Sequence, residues 1–179
     1  MNEINIRRAT EKDASLIAKI SRETFYDSFA EQNTQEDMEL FMEQQFNTSL
    51  LMEELFDDSN IFFLAYCEEE PAGYIKLKSG AHPDLENANQ AIEICRFYAR
   101  KEMIGKGIGK AMMLHAIQYA KTAACKTLWL GVWEHNKRAI NFYNSFGFQK
   151  FSEHDFVLGT DVQRDWLMKR EEPVIVNGQ

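Results

Sequence analysis

The chain has 179 residues, 45% apolar and 12% aromatic, with 20 Lys and Arg against 28 Asp and Glu for a formal net charge of −8. This length and apolar content suit one globular domain and exclude intrinsic disorder, while the acidic balance argues against nucleic acid, which needs a basic face to replace phosphate counterions. No apolar run approaches the ~20 residues of a membrane helix and no secretory signal opens the chain, so a cytoplasmic location away from membranes is expected.

Residues 4–7 alternate as a short strand, and Thr10 to Asp13 resembles a capping box with Asp in place of Glu, ahead of a helix. That helix has an apolar stripe of Leu16, Ile17, Ile20 and Thr24 or Phe25, and the acidic stretch 35–47 sets Met38, Phe41 and Phe46 at helical spacings. Thr48 is the expected cap of a third helix ending at Phe56, before the polar turn 57–60. Residues 61–67 and 72–78 read as an antiparallel hairpin, 79–90 as a loop and 91–100 as the next strand. A glycine-rich turn from Gly105 then opens a helix that is apolar nearly all round and so expected to be buried, with His115 a core residue on it. Residues 127–133 are apolar on both faces, as in a central strand. Asn136 is the expected cap of a helix striped with Ala139, Phe142, Tyr143 and Phe146, and Gly147 its left-handed close. Strands at 148–156 and 163–170 complete the order βααα-ββ-β-α-β-α-ββ, a mixed α/β sheet. Residues 1–170 form one expected domain, and 171–179 a flexible tail.

Cys67, Cys95 and Cys125 stand apart in apolar segments with no C-x-x-C pair, as packed, reduced thiols do. Charge divides the chain: residues 1–90 hold 7 basic and 19 acidic side chains, a net −12, while 91–179 hold 13 and 9, a net +4. A basic half suits an anionic ligand and an acidic half a cationic one. The acidic, apolar N-terminal helices also offer a surface for a homodimer.

Gly105-Lys106-Gly107-Ile108-Gly109-Lys110 lies between a strand and a helix start, where free N–H groups and the helix dipole bind anions. Its spacing is neither the dinucleotide fingerprint G-x-G-x-x-G nor a P-loop, which needs Gly at Ile104 and Ser or Thr at Ala111. Three alternating glycines with Lys106 and Lys110 point to a pyrophosphate. In the preceding strand the apolar parity switches between Ile94 and Cys95, the signature of a β-bulge, which frees backbone groups to pair with an amide-bearing ligand.

These residues resemble the GNAT superfamily of N-acetyltransferases, whose signature is a strand, a phosphate turn Q/R-x-x-G-x-G/A and a helix. Here it reads Ile104 to Gly109 after Ile92 to Ala99, and a second block, Leu130 to Asn136 with Ala139 to Tyr143 and Gly147-Phe148, extends it over residues 91–150. Leu130 to Glu134, with Thr24-Phe25 and Ser28 to Asn33, is similar to the PaiA-like spermidine/spermine acetyltransferases. The resemblance implies a mostly antiparallel sheet of about seven strands flanked by helices, with splayed central strands. It implies acetyl-CoA as cosubstrate, with its pantetheine arm on backbone groups of Phe97, Tyr98 and Ala99 and on Asn136. Its pyrophosphate falls to the amides of Gly105, Lys106, Gly107, Ile108, Gly109 and Lys110. Ile104 departs from the usual Gln or Arg, which implies weaker cofactor binding. Tyr143 is the implied general acid for the departing thiolate; it lies seven residues, almost two turns, after Asn136 and can face the same crevice.

An amine acceptor must lose a proton before it attacks a thioester, and Glu93, at the position of the superfamily's common Glu, is the candidate base, with Glu134 second. The four histidines lack metal-ligand spacing, so no metal is expected. Trp133 suits either a substrate channel or packing, and Asp27, Glu31 and Glu36 are either receptors for a polyamine tail or solvated surface. The expected activity is acetyl transfer to a small amine, a polyamine such as spermidine. The rivals are a protein N-terminal or lysine acetyltransferase and a noncatalytic acyl-CoA-sensing regulator.

Overall fold

The computed structural model describes residues 3–31, 33–80, 82–85, 88–158 and 161–171. In chain order these form β1 (Ile4–Arg8), α1 (Ala14–Phe29), α2 (Gln35–Gln45), α3 (Thr48–Phe56), β2 (Asn60–Cys67), β3 (Glu70–Ser79) and β4 (Ala91–Ala99). Then come α4 (Ile108–Thr122), β5 (Thr127–Trp133), α5 (Lys137–Ser145), β6 (Gln149–Leu158) and β7 (Asp161–Glu171). Seven strands make one sheet in the order β1-β2-β3-β4-β5-β7-β6. Every pairing is antiparallel except β4 with β5, whose parallel sense requires the crossover that α4 supplies.

The parity of the strands sends alternate side chains to two cores. Ile75, Leu77, Ile92, Leu128 and Leu130 pack with Met113 of α4 and Ile140 of α5 on one face. Phe62, Leu64 and Tyr74 pack with Ile17 and Ile20 of α1 and Leu51 of α3 on the other, beside an aromatic cluster of Phe25, Phe46 and Met38. Under α3 lies a buried ionic knot. Glu54 accepts two hydrogen bonds from Arg96 at 2.6 and 3.1 Å and pairs with the Lys76 ammonium at 2.8 Å, so one carboxylate pins α3 to both β3 and β4. Lys76 is only 6% exposed, and desolvation holds its ammonium below the usual lysine range.

Two features open the sheet. The ladder from β3 to β4 shifts between Lys76 and Leu77, facing Arg96 and Ile94, and leaves Cys95 unpaired: the bulge that the parity switch predicts. The extra residue returns Phe97 to the same core as Ile94. Before it, β4 and β5 share just three rungs, Ala91 with Thr127, Ile92 with Leu128 and Glu93 with Trp129, and then separate.

Several boundaries differ from the sequence reading. Asn47, not Thr48, caps α3: its Oδ1 accepts the Leu50 N–H at 2.8 Å, and Thr48 is the first helical residue. Leu114 on α4 is 50% exposed, so that helix buries one broad face rather than its whole surface. His115 is half-buried there, its ring edge-on to Phe63 at 4.4 Å. Strands β6 and β7 outrun their apolar patterns because a hairpin ladder keeps pairing through polar residues such as His154 with Asp165. Glu171, expected in the tail, is the last residue of β7 and accepts a hydrogen bond from Thr127 at 2.8 Å; residues 172–179 lie outside the described residues. Among the described residues no helix is long and apolar enough to cross a membrane.

Candidate active site

Where β4 and β5 separate, a cleft of about 850 Å3 opens between the glycine turn, α5 and α1. One wall is β4 itself, through Phe97, Tyr98 and Ala99. These residues pair with Ile75, Tyr74 and Gly73 of β3 on one side, while the β5 ladder has already ended on the other. Their free backbone groups therefore need water or a ligand.

The floor is the turn from Ile104 into α4. Gly105 and Gly107 have φ of +85° and +88°, a left-handed backbone that side chains rarely adopt, and Gly107 is the cap of α4. Ile108, Gly109 and Lys110 follow, and all three line the cleft; the first N–H groups of a helix have no acceptor within it. Lys101, Lys110, Lys137 and Arg138 also line it, so cations gather at the start of both α4 and α5. Ile104 lines the cleft without adding charge. Lys106 is the one residue of the predicted turn that does not: its ammonium lies 3.7 Å from the Met103 sulfur, on the exposed side.

Asn136 lines the cleft, and its Oδ1 is engaged in capping α5 by accepting the Ala139 N–H at 3.1 Å, which leaves its amide N–H groups for a ligand. Tyr143 stands nearly two turns on, 8% exposed, with its ring 6.2 Å from Phe97 and 5.9 Å from Phe148. Its hydroxyl has no hydrogen-bond partner among the described residues and its ring lines the cleft. Burial, and to a smaller extent Tyr98, push its phenol well above the usual tyrosine range, so it holds its proton at neutral pH. Burial likewise raises Tyr98, to about 12.

Glu93 is not brought to the cleft. It forms the last rung between β4 and β5, four residues before Phe97, or about 13 Å of strand. There it lies near the Cys95 thiol, which burial chiefly and the Glu93 charge secondarily raise to about 12. Trp133 lines the cleft, its ring 5.3 Å from His135, and Asp27 of α1 lines it as an exposed carboxylate; Glu31 and Glu36 do not. Beyond Trp133 and His135, which border both, a second cavity of about 580 Å3 is lined by Glu134, Asp155 and Arg164.

Asp165 of β7 is a residue that no motif marks. Its Oδ2 lies 3.5 Å from where a Cβ on Gly131 would sit, with His154 Nε2 at 3.9 Å from the same point. Burial raises its carboxyl, against a smaller opposing pull from His154. Only the register across β5, β7 and β6 brings these three residues together.

The acetyltransferase (GNAT) family model matches residues 19–148. The chain is 40% identical over 170 residues to an uncharacterized N-acetyltransferase of the pepI 3′ region in Lactobacillus delbrueckii subsp. lactis, covering 95% of this chain and 98% of that protein. It is 35% identical over 92 residues to the spermine/spermidine N(1)-acetyltransferase of Bacillus subtilis strain 168, covering 51% of this chain and 60% of the relative. Among solved structures, the fold is similar to that of paia N-acetyltransferase from Thermoplasma acidophilum in complex with coenzyme A, with a TM-score of 0.78 at 22% identity over 95% of this chain and 99% of that one.

Proposed function

The chain belongs to the GNAT acetyltransferase family, and from that premise we propose that it transfers the acetyl group of acetyl-CoA directly to a nitrogen of a polyamine such as spermidine or spermine. The observation that carries the acceptor is the change of sign between the cleft and the second cavity. The cleft holds Lys101, Lys110, Lys137 and Arg138 with one carboxylate, Asp27, whereas the second cavity, which meets it at Trp133 and His135, holds Glu134 and Asp155 against the single cation Arg164. A pyrophosphate suits the first and a chain of ammonium groups the second.

Acetyl-CoA supplies the thioester that is cleaved. The N–H groups at the start of α4, with the lysines around them, hold its pyrophosphate; the unpaired edge of β4 and the Asn136 amide hold its pantetheine arm. Tyr143, kept protonated by burial, donates its proton to the sulfur as the carbon–sulfur bond breaks. An ammonium with pKa near ~10.4 must first be made neutral, which at pH 7 costs about 4.6 kcal/mol, so a proton acceptor near the acceptor nitrogen lowers the barrier directly. Alignment of amine and thioester by the cleft and the cavity beside it contributes the rest.

Release of coenzyme A thiol from acetyl-CoA tests the reading, with spermidine, spermine, putrescine, free lysine and a lysine peptide as acceptors. Saturable turnover with spermidine or spermine and little with the peptide is expected. Turnover with the peptide alone overturns the polyamine acceptor, and binding of acetyl-CoA without turnover on any amine returns the sensing regulator.

A further inference from the structure

Among the described residues Asp165 is a carboxylate without a hydrogen-bond donor or an ion-pair partner, although it is more than half buried. Its surroundings can be given strand by strand. On β5 it is opposite Trp133, which lines the cleft, and diagonal to Gly131, the exposed residue of an otherwise buried central strand. On β6 it is opposite His154. From β4 the Tyr98 phenol feels its negative charge, and Tyr143 in turn feels Tyr98. On β7 itself its same-face neighbours are the uncharged Gln163 and Leu167, while Arg164 on the opposite face is paired with Glu153 at 3.2 Å. Gly131 has no side chain to cover this spot, and Asp165, which itself lines neither cavity, is level in the sheet with Trp133, which lines both.

The same register separates Asp165 from the residue that the sequence offers for proton transfer. Glu93 is level with Trp129 and, across β5, with Lys169; Trp133 is level with Asp165. The two carboxylates are thus four residues apart along the sheet, about 13 Å, with Asp165 at the cleft end.

We propose that Asp165 is the proton acceptor for the acceptor amine, taking up the incoming ammonium over Gly131 beside Trp133. This assignment rests on the amine-acetylating reading above. The ammonium gives one proton to the Asp165 carboxylate and becomes a neutral amine. Its nitrogen lone pair forms the new bond to the acetyl carbon, and the carbon–sulfur bond breaks with its electron pair going to sulfur. The sulfur takes the Tyr143 proton, the second proton leaves the acetylated nitrogen for the Tyr143 phenolate, and Asp165 passes its proton to water. One proton is released per turnover, and both side chains return to their starting states. The same desolvation that raises the Asp165 carboxyl makes it a stronger base than a solvated aspartate, and His154 opposite it moderates the effect.

The test is the pH profile of kcat/KM, with the best amine of the panel, for wild type, Asp165→Asn, Asp165→Glu and Glu93→Gln, alongside coenzyme A affinity by calorimetry. Asp165→Asn is expected to lose about 10²-fold in kcat/KM at pH 7, with coenzyme A affinity unchanged. Its acid limb should give way to a rate that climbs toward the pKa of the free amine, and Asp165→Glu should restore the limb. An Asn variant within threefold of wild type with the same limb overturns the assignment and leaves the acetyltransferase reading standing. A limb that persists in Asp165→Asn and disappears in Glu93→Gln overturns it in favour of Glu93. Absence of wild-type turnover with every amine sinks the underlying reading instead, and the assignment with it.

Discussion

The two ends of β4 are built from similar apolar residues and do opposite things. At the first end Ala91 and Ile92 are both buried: Ile92 is flanked by β3 and β5 and packs with α4, and Ala91, paired with β5, packs on the other face with Trp129 and Leu167. At the second, Phe97, Tyr98 and Ala99 are only half-buried although two of them are aromatic, because β5 has moved away. Strand β3 alone holds this end, and holds it closely: a Cβ on Gly73 would fall 2.4 Å from the Tyr98 carbonyl oxygen. The comparison teaches that the cleft is made less by recruiting special side chains than by withholding a hydrogen-bond ladder from one edge of a core strand. Unpaired backbone amides then need water or a ligand.

The sharpest way to set the two ends apart is to change one residue at each. Tyr143→Phe, at the open end, removes the proposed acid and little else, since the hydroxyl has no protein partner among the described residues; kcat should fall by about 10²-fold or more while coenzyme A binds as before. A loss confined to cofactor affinity would show instead that the hydroxyl only binds. Leu128→Ala, at the closed end, should do the reverse. Leu128 is fully buried opposite Ile92, so urea denaturation should report a loss of about 2–5 kcal/mol, with kcat little changed below the new melting temperature. Gly131→Ala should have the smallest effect on the fold, because the added methyl meets Asp165, Leu167 and His154 at ordinary distances of 3.5, 3.7 and 3.9 Å. Stability should change by less than about 1 kcal/mol, while KM for the amine rises severalfold and coenzyme A affinity stays put. Equal effects on both substrates would mean that the space over Gly131 belongs to the cofactor.

How much of this is legible in the sequence differs between the two sides of the cleft. The cofactor side is local: the strand, bulge, turn and helix from Ile92 to Lys110 are contiguous, and each leaves its mark in parity or glycine spacing. Even there the signal overstated the turn, since Lys106 faces away and Gly105 and Gly107, but not Gly109, have a left-handed backbone. The proposed acceptor side draws on α1, β5, β6 and β7, whose residues are far apart in the chain. Asp27, Gly131, His154 and Asp165 carry no shared spacing, and Glu93, which does match a family position, lies at the closed end. Capping shows the same limit at smaller scale: Asn47 and Thr48 are both good caps by composition, and one hydrogen bond to Leu50 separates them.

By itself the sequence determined the order of the elements, the bulge in β4, the glycine turn and the tyrosine on α5, because each depends on interactions between near neighbours along the chain. The tertiary structure alone decided where β4 and β5 part, which carboxylates meet the cleft and which buried charges pair, as Glu54 does with Lys76 and Arg96. Those outcomes follow from strand register and desolvation, which depend on which distant residues end up side by side.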